Sequence, residues 1–149
     1  MTEYPAFARP LEIRWSDQDL MGHVNNARVL TLIEEARVMW LRSLNGWDRD
    51  VNPTVVVRTE INYRRPVHYG PELVIELGIG HVGGTSYTVT FRGIQENAVV
   101  FDGLNVLVGV DPENLTPRTL GGQERELLGR YGTFDPEDPT NLSAAPVSH

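Results

Sequence analysis

Two dipeptides constrain what this chain can fold into more than anything else in it. Gly83-Gly84 and Glu96-Asn97 are all that separates three segments of strand composition, 72–82, 85–95 and 98–111. Links that short join antiparallel neighbours, because a parallel crossover needs about a dozen residues or more. In the middle segment Tyr87, Val89 and Phe91 alternate with Ser86, Thr88 and Thr90, the period of a strand with one buried face. A fourth segment, 54–65, sets Val55, Val57, Ile61 and Tyr63 on one face and Val56, Arg58, Glu60, Asn62 and Arg64 on the other. Upstream, Leu11, Ile13 and Trp15 alternate with Glu12 and Arg14, which predicts a half-buried strand over 11–15.

One long helix is expected between these strands, over 26–44. On a 3.6-residue wheel Val29, Leu32, Ile33, Ala36, Met39, Trp40 and Leu44 share a broad apolar arc, with Arg28, Thr31, Glu34, Glu35 and Arg42 mainly opposite. At ~1.5 Å per residue the helix is ~28 Å long, and Asn45-Gly46 supplies a stop signal. Arg37 falls within or beside the apolar arc, where a guanidinium needs a carboxylate or carbonyl partner. One strand, one helix and a run of hairpins describe an α+β domain with a helix on a sheet. Residues 123–131 can form a short helix, weakened by Gly121, Gly122 and Gly129. The stretch 132–149, rich in Pro, Asp, Ser and Thr, is expected to be a mobile tail, leaving 1–131 as a single domain.

Composition removes whole classes of chemistry. The chain has no cysteine, which excludes disulfides, thiolate nucleophiles and Cys-type metal sites. All thirteen basic residues are arginine, so no lysine Schiff base is possible. None of the serines stands in the G-x-S-x-G frame of a nucleophile elbow. A net charge of −7 argues against general nucleic-acid binding. No apolar run approaches the ~20 residues that cross a bilayer, and MTEYPAFARP lacks the basic-then-apolar pattern of a secretory signal. A cytoplasmic setting is therefore expected, without membrane insertion, and the sequons at Asn114 and Asn141 carry no weight. Carboxylate, histidine, amide and backbone remain as the means of catalysis.

Several motifs have plain structural readings. Gly78-x-Gly80-x-x-Gly83 spells the dinucleotide fingerprint, but a Thr/Tyr/Val strand follows it where a phosphate-binding helix should begin. The histidines are His23, His68, His81 and His149; apart from a loose Asp17/Asp19/His23 group none has metal-ligand spacing, and no metal or cofactor is expected. His68 and His81 read as surface or strand-end polarity. Arg64-Arg65-Pro66, near Arg58 and His68, forms a cationic patch at a strand rim, suited either to phosphate or to solvated and inter-subunit ion pairs.

The densest polar stretch is D17-Q-D-L-M-G-H-V-N-N26, at the entrance to the helix. Asn25 or Asn26 can cap the helix, and Asp17 and Asp19 suit the positive end of its dipole. The same groups can also do chemistry. Unfilled N–H groups of Val24, Asn25 and Asn26 can hold an oxyanion, a nearby carboxylate can act as base or nucleophile, and Gly22 permits close approach. Composition and spacing leave both readings open.

Arg14-Trp15-x-Asp17-x-Asp19-x-x-Gly22-His23-Val24-Asn25-Asn26, then Glu34-Glu35-Ala36-Arg37, then Ile61-Asn62-Tyr63-Arg64-Arg65-Pro66 resemble the hotdog-fold acyl-CoA thioesterases. The likeness is to the 4-hydroxybenzoyl-CoA thioesterase-like branch and its bacterial long-chain acyl-CoA thioesterases, over about residues 10–128. The resemblance implies a long central helix wrapped by a five-stranded antiparallel sheet, and dimers, often paired into tetramers, with the acyl-CoA site between subunits. It places the catalytic aspartate on Asp19 and the oxyanion-binding N–H on Asn26, with His23 and Asn25 placing water or the thioester carbonyl. Another branch uses a helix glutamate near Glu34 and Glu35, but the wheel turns these toward the polar face. Coenzyme A contacts are implied at Arg64, Arg65, Gly84, Thr85 and Ser86. Val29 departs from the family, which often has tyrosine there. The implied activity is acyl-CoA hydrolysis without metal or prosthetic group; an enoyl-CoA hydratase or dehydratase, or an acyl-CoA-binding protein without turnover, are the alternatives.

Overall fold

The computed structural model describes residues 2–44, 47 and 52–134. Its elements are β1 (Phe7–Leu11), α1 (Asn26–Ser43), β2 (Thr54–Tyr63), β3 (Leu73–Val82), β4 (Ser86–Gln95), β5 (Ala98–Gly109) and α2 (Gly122–Leu128). The strands form one antiparallel sheet in the order β1-β3-β4-β5-β2. This is the hotdog arrangement. Glu96 and Asn97 both have positive φ, 52° and 60°, the two-residue turn whose twist matches flanking antiparallel strands.

The core lies between α1 and the sheet. Val29, Leu32, Ile33, Ala36 and Trp40 of α1 cluster with Ile75, Leu77, Val89, Phe91, Phe101 and Leu107. The helix buries the expected arc with one exchange: Arg37 is buried and Met39 is 39% exposed. Arg37 can occupy that place because it donates to Asn105 Oδ1 at 3.1 Å, with Glu34 at 3.7 Å. Burial also pushes its guanidinium pKa down, against the opposing pull of Glu34.

Three expectations change. The first strand runs over Phe7–Leu11, not 11–15, because its partner β3 begins at Leu73, opposite Leu11, and offers nothing for residues 12–15 to pair with. Trp15 instead opens a single 3₁₀ turn, Trp15–Asp17, and is 73% exposed. In β2 a bulge between Val56 and Arg58 breaks the expected alternation, so that Val56 and Thr59 line the same side, beside Ile33 and Arg37 of α1. The second helix ends at Leu128, short of residue 131.

The fingerprint glycines belong to strand structure. Gly78 sits in β3 where residues 130–133 cross its edge: Ile79 N–H donates to Gly132 C=O at 2.8 Å, and a Cβ at Gly78 would lie 2.6 Å from that oxygen. Gly132 N–H in turn donates to Glu3 C=O at 2.8 Å, and the Thr133 and Thr90 hydroxyls meet at 2.6 Å. The expected tail thus begins with three residues, 132–134, that run against the domain; its remainder, 135–149, and the Asn45-Gly46 helix stop lie outside the described residues. Among the described residues no helix is long and apolar enough to cross a membrane.

Candidate active site

The loop between β1 and α1 is held by its own backbone. Asp17, 4% exposed, accepts the Arg14 N–H on its carboxylate at 2.8 Å, and its carbonyl accepts the Asn25 N–H at 2.9 Å. Asp19 N–H donates to His23 C=O at 2.9 Å, and Gly22 N–H to Asp19 C=O at 3.0 Å. Gly22 takes φ +77°, the left-handed conformation that glycine adopts without a steric penalty, and so closes this turn. Val24 N–H donates to Val67 C=O at 2.8 Å and fixes the loop to the segment after β2.

The two aspartates therefore differ sharply. Asp17 is buried and used for structure. Asp19 is exposed; one carboxylate oxygen accepts the Met21 N–H at 2.9 Å, and the other has no partner among the described residues. Leu20 and Met21 beside it are almost fully exposed.

Asn25 is the helix cap, its side-chain oxygen accepting from Ala27 N–H at 2.9 Å. The Arg28 and Val29 N–H groups return to Asn25 C=O. The expectation of three unfilled N–H groups is corrected here: Val24 and Asn25 have spent theirs on Val67 and Asp17, and among the described residues Asn26 alone of the three keeps an N–H without a partner. A free donor at the start of an 18-residue helix is a natural place for developing negative charge.

Tyr63, at the end of β2, was not singled out for a role in the sequence. Its hydroxyl donates to Asn26 C=O at 2.9 Å and ties the helix start to the sheet. Partial burial raises its pKa. The Ile61-Asn62-Tyr63 run carried the only available signal, because a contact with residue 26 leaves no local trace.

The expected coenzyme A contacts divide. Arg64 pairs with Asp102, 6% exposed, through Nε at 3.2 Å and Nη2 at 3.3 Å, and Asn62 donates to the same carboxylate at 3.1 Å. Its charge is therefore largely answered within the fold. Arg65 is half-buried, anchored by its N–H to Val100 C=O at 3.0 Å, and its side chain makes no ion pair among the described residues. Gly84, Thr85 and Ser86 form the β3–β4 turn at the far end of the sheet. Gln95, at the other end of β4, bonds the His68 backbone beside the Asp19 loop. Nine steps along the strand at ~3.3 Å each put Ser86 about 30 Å from Gln95. Within this chain Asp19, His23, Asn25 and Asn26 share one hydrogen-bonded segment, Arg65 stands two residues before Val67, whose carbonyl holds that segment at Val24, and Gly84–Ser86 lie apart.

Glu34 and Glu35 lie on the exposed side of α1, as the wheel implied. Glu34 borders a groove between α1 and β2 made of two adjoining hollows, one of about 190 Å³ lined by Leu30, Ile33, Arg37, Val56 and Thr59 and one of about 970 Å³ beside Val38, Leu41, Thr54 and Val55. Among the described residues no group of three or more His, Asp or Glu side chains is arranged to hold a metal ion.

Comparison with known proteins gives consistent results. A family model described as the thioesterase superfamily matches residues 21–101. The long-chain acyl-CoA thioesterase FadM of Escherichia coli is 34% identical over 125 residues, covering 79% of this chain and 93% of FadM. The uncharacterized protein YsmA of Bacillus subtilis is 30% identical, over 83% of this chain and 85% of its own. Among solved structures, a Thermus thermophilus thioesterase complexed with coenzyme A and zinc superposes with a TM-score of 0.75 at 28% identity, over 85% of this chain and 95% of that one.

Proposed function

The chain belongs to the thioesterase superfamily and is a thioester hydrolase; from that premise we propose that its substrate is an acyl-CoA and that Asp19 and the Asn26 N–H carry the reaction. The observation that carries this reading is the pairing, in one short loop-to-helix segment, of an exposed carboxylate oxygen and a helix-start N–H that both lack a partner among the described residues. Asp19 takes a proton from water, and the water oxygen attacks the thioester carbonyl. The Asn26 N–H receives the oxyanion. Collapse of the tetrahedral intermediate breaks the C–S bond, and the proton held by Asp19 passes to the coenzyme A sulfur. His23 and Asn25 orient water and carbonyl. Each step uses a group of this chain, and none calls for a metal or prosthetic group. A cytoplasmic setting, where acyl-CoA is made and used, goes with this reading.

The working unit in this proposal is a dimer. β2 is an edge strand that pairs only with β5, and Val55, Val56 and Val57 on it are 39, 41 and 58% exposed. An unpaired apolar edge is a template for another strand. Thr54, at one end of β2, lies opposite Gly109, whose N–H donates to Thr85 C=O. Tyr63, at the other end, reaches the Asn26 turn. Two copies joined antiparallel through β2 therefore carry the partner's Gly84, Thr85 and Ser86 toward this protomer's Asp19 and Arg65, completing a coenzyme A site that one protomer leaves divided. The acyl group then runs along the α1–β2 groove.

Thiol release measured across a series of acyl-CoA chain lengths tests the reading. Turnover on at least one acyl-CoA, lost in Asp19→Asn, is the expected result; an Asp19→Asn enzyme with wild-type rates on every active substrate overturns it.

A further inference from the structure

His68 lies in the segment after β2, far from His23 in sequence, yet their rings stand 5.1 Å apart between centroids at an interplanar angle of 80°. The approach is built into the fold. Gln95, 3% exposed, accepts the His68 N–H at 2.9 Å and donates to the carbonyls of His68 and Pro71 at 2.9 and 3.0 Å. Both of its donors and one acceptor position are thus committed to holding the backbone around His68. One residue earlier, buried Val67 accepts the Val24 N–H at 2.8 Å, and on the opposite side Asp19 N–H donates to His23 C=O at 2.9 Å. Asp19, His23 and His68 are carried on one hydrogen-bonded frame.

Within that frame the His68 backbone is fixed by Gln95, while the His23 side chain has no such anchor. It is half-buried, and among the described residues no hydrogen bond holds either ring nitrogen. The His68 ring is the aromatic surface that meets it. An imidazole without a hydrogen-bond partner samples about three staggered wells in χ1, and a neighbouring ring at edge-to-face distance removes those that would swing into it.

We infer that His68 is a positioning residue of the active site, whose ring fixes the plane of the His23 imidazole beside Asp19. The role is exerted through His23, not on the thioester, and it rests on the reading that residues 19–26 form the site. His68 is exposed, so its replacement does not remove core packing.

The test compares His68→Ala, His68→Phe and Asp19→Asn by steady-state thiol release, with the His23 ring protons followed by NMR. In His68→Ala, kcat is expected to fall about tenfold, of the order set by freeing a positioned group to several rotamers, while KM stays within about twofold. His68→Phe, which keeps a ring but no nitrogen, is expected to restore kcat to within about threefold. The His23 resonances should move in His68→Ala and stay ring-shifted in His68→Phe. Wild-type kcat in His68→Ala, with Asp19→Asn inactive, overturns the inference and leaves the site assignment standing. A His68→Phe enzyme as slow as His68→Ala also overturns it, because a nitrogen and not a packing surface is then required. If Asp19→Asn keeps its rate, the site assignment fails first and the role of His68 falls with it.

Discussion

The carbonyl of Asp17 accepts the N–H of Asn25 at 2.9 Å, so the residue that caps α1 is itself held by the loop that presents Asp19. Loop and helix start form a single unit, and its two aspartates are expected to fail in different ways. Asp19→Asn should reduce kcat by at least about a hundredfold, within the range associated with loss of a general base, and leave the melting temperature unchanged. Asp17→Asn loses a charge-assisted bond to the Arg14 N–H and places an amide where a buried carboxylate was. That should cost about 2 kcal/mol and lower the melting temperature by roughly 5 °C. Paired thermal melts and thiol-release assays separate the two.

Asn25 couples stability to catalysis. Replacing it with alanine removes the acceptor for Ala27 N–H and should cost about 1 kcal/mol. It also frees the first turn, including the Asn26 N–H, so kcat should fall further than the stability loss alone explains. Asn25→Asp keeps the acceptor and should recover the stability. Urea denaturation measured beside kcat for both variants checks the pair.

Much of this was legible beforehand, and the exceptions have one cause. The α1 face, the Glu96-Asn97 hairpin and the Asn25 cap are properties of neighbours in the chain, and periodicity and turn chemistry reveal them. What escaped depends on who sits opposite. The alternation of Leu11, Ile13 and Trp15 is genuine, yet β3 stops at Leu73 and leaves residues 12–15 no partner. Arg64 reads as part of a rim patch, for phosphate or for solvated and inter-subunit ion pairs, until Asp102 arrives from β5. His68 reads as surface polarity until Gln95 and Val67 hold it against His23.

The C-terminal helix is pinned by Arg118 and Glu124, which meet at 2.6 and 3.0 Å with Glu124 3% exposed. Burial pushes the Glu124 carboxyl up, but the Arg118 bonds and the Gly121 N–H outweigh it and hold the pKa below the ordinary value of 4.5. A carboxyl depressed in the folded state stabilises the protein above its unfolded pKa, and that contribution is lost as pH falls through the folded value. Arg118→Met leaves burial with less to oppose it and also breaks the guanidinium contacts to the Pro53 and Val110 carbonyls. It should cost about 3 kcal/mol at pH 7. The difference from wild type should shrink as pH falls toward 4, because protonation relieves the unpaired charge in the variant first, while the wild-type carboxyl, held below 4.5, keeps its ion pair to lower pH. Urea denaturation at the two pH values reads this directly.

The β2 edge can be tested without touching the catalytic residues. Changing Val55 and Val57 together to lysine places charge on the proposed dimer seam, where a second strand cannot bury it. The protein should run as a monomer in light scattering, keep its circular dichroism spectrum, and lose at least about tenfold in kcat/KM, the scale of a missing set of substrate contacts. A dimer of normal activity would show that the seam lies elsewhere.

The crossing of residues 130–133 over the edge of β3 has a consequence for the order of assembly. β1 covers β3 only from Leu73 to Leu77, and the backbone beyond is met by Gly132. While the chain is being made, the β3–β4–β5 meander exists before the piece that shields its outer margin. A nascent domain therefore spends part of its synthesis with a bare strand margin beside Gly78, where a neighbouring nascent chain could attach. The absence of a side chain at Gly78 lets the late segment close that gap, and it gives crowding on the ribosome a specific point at which to interfere.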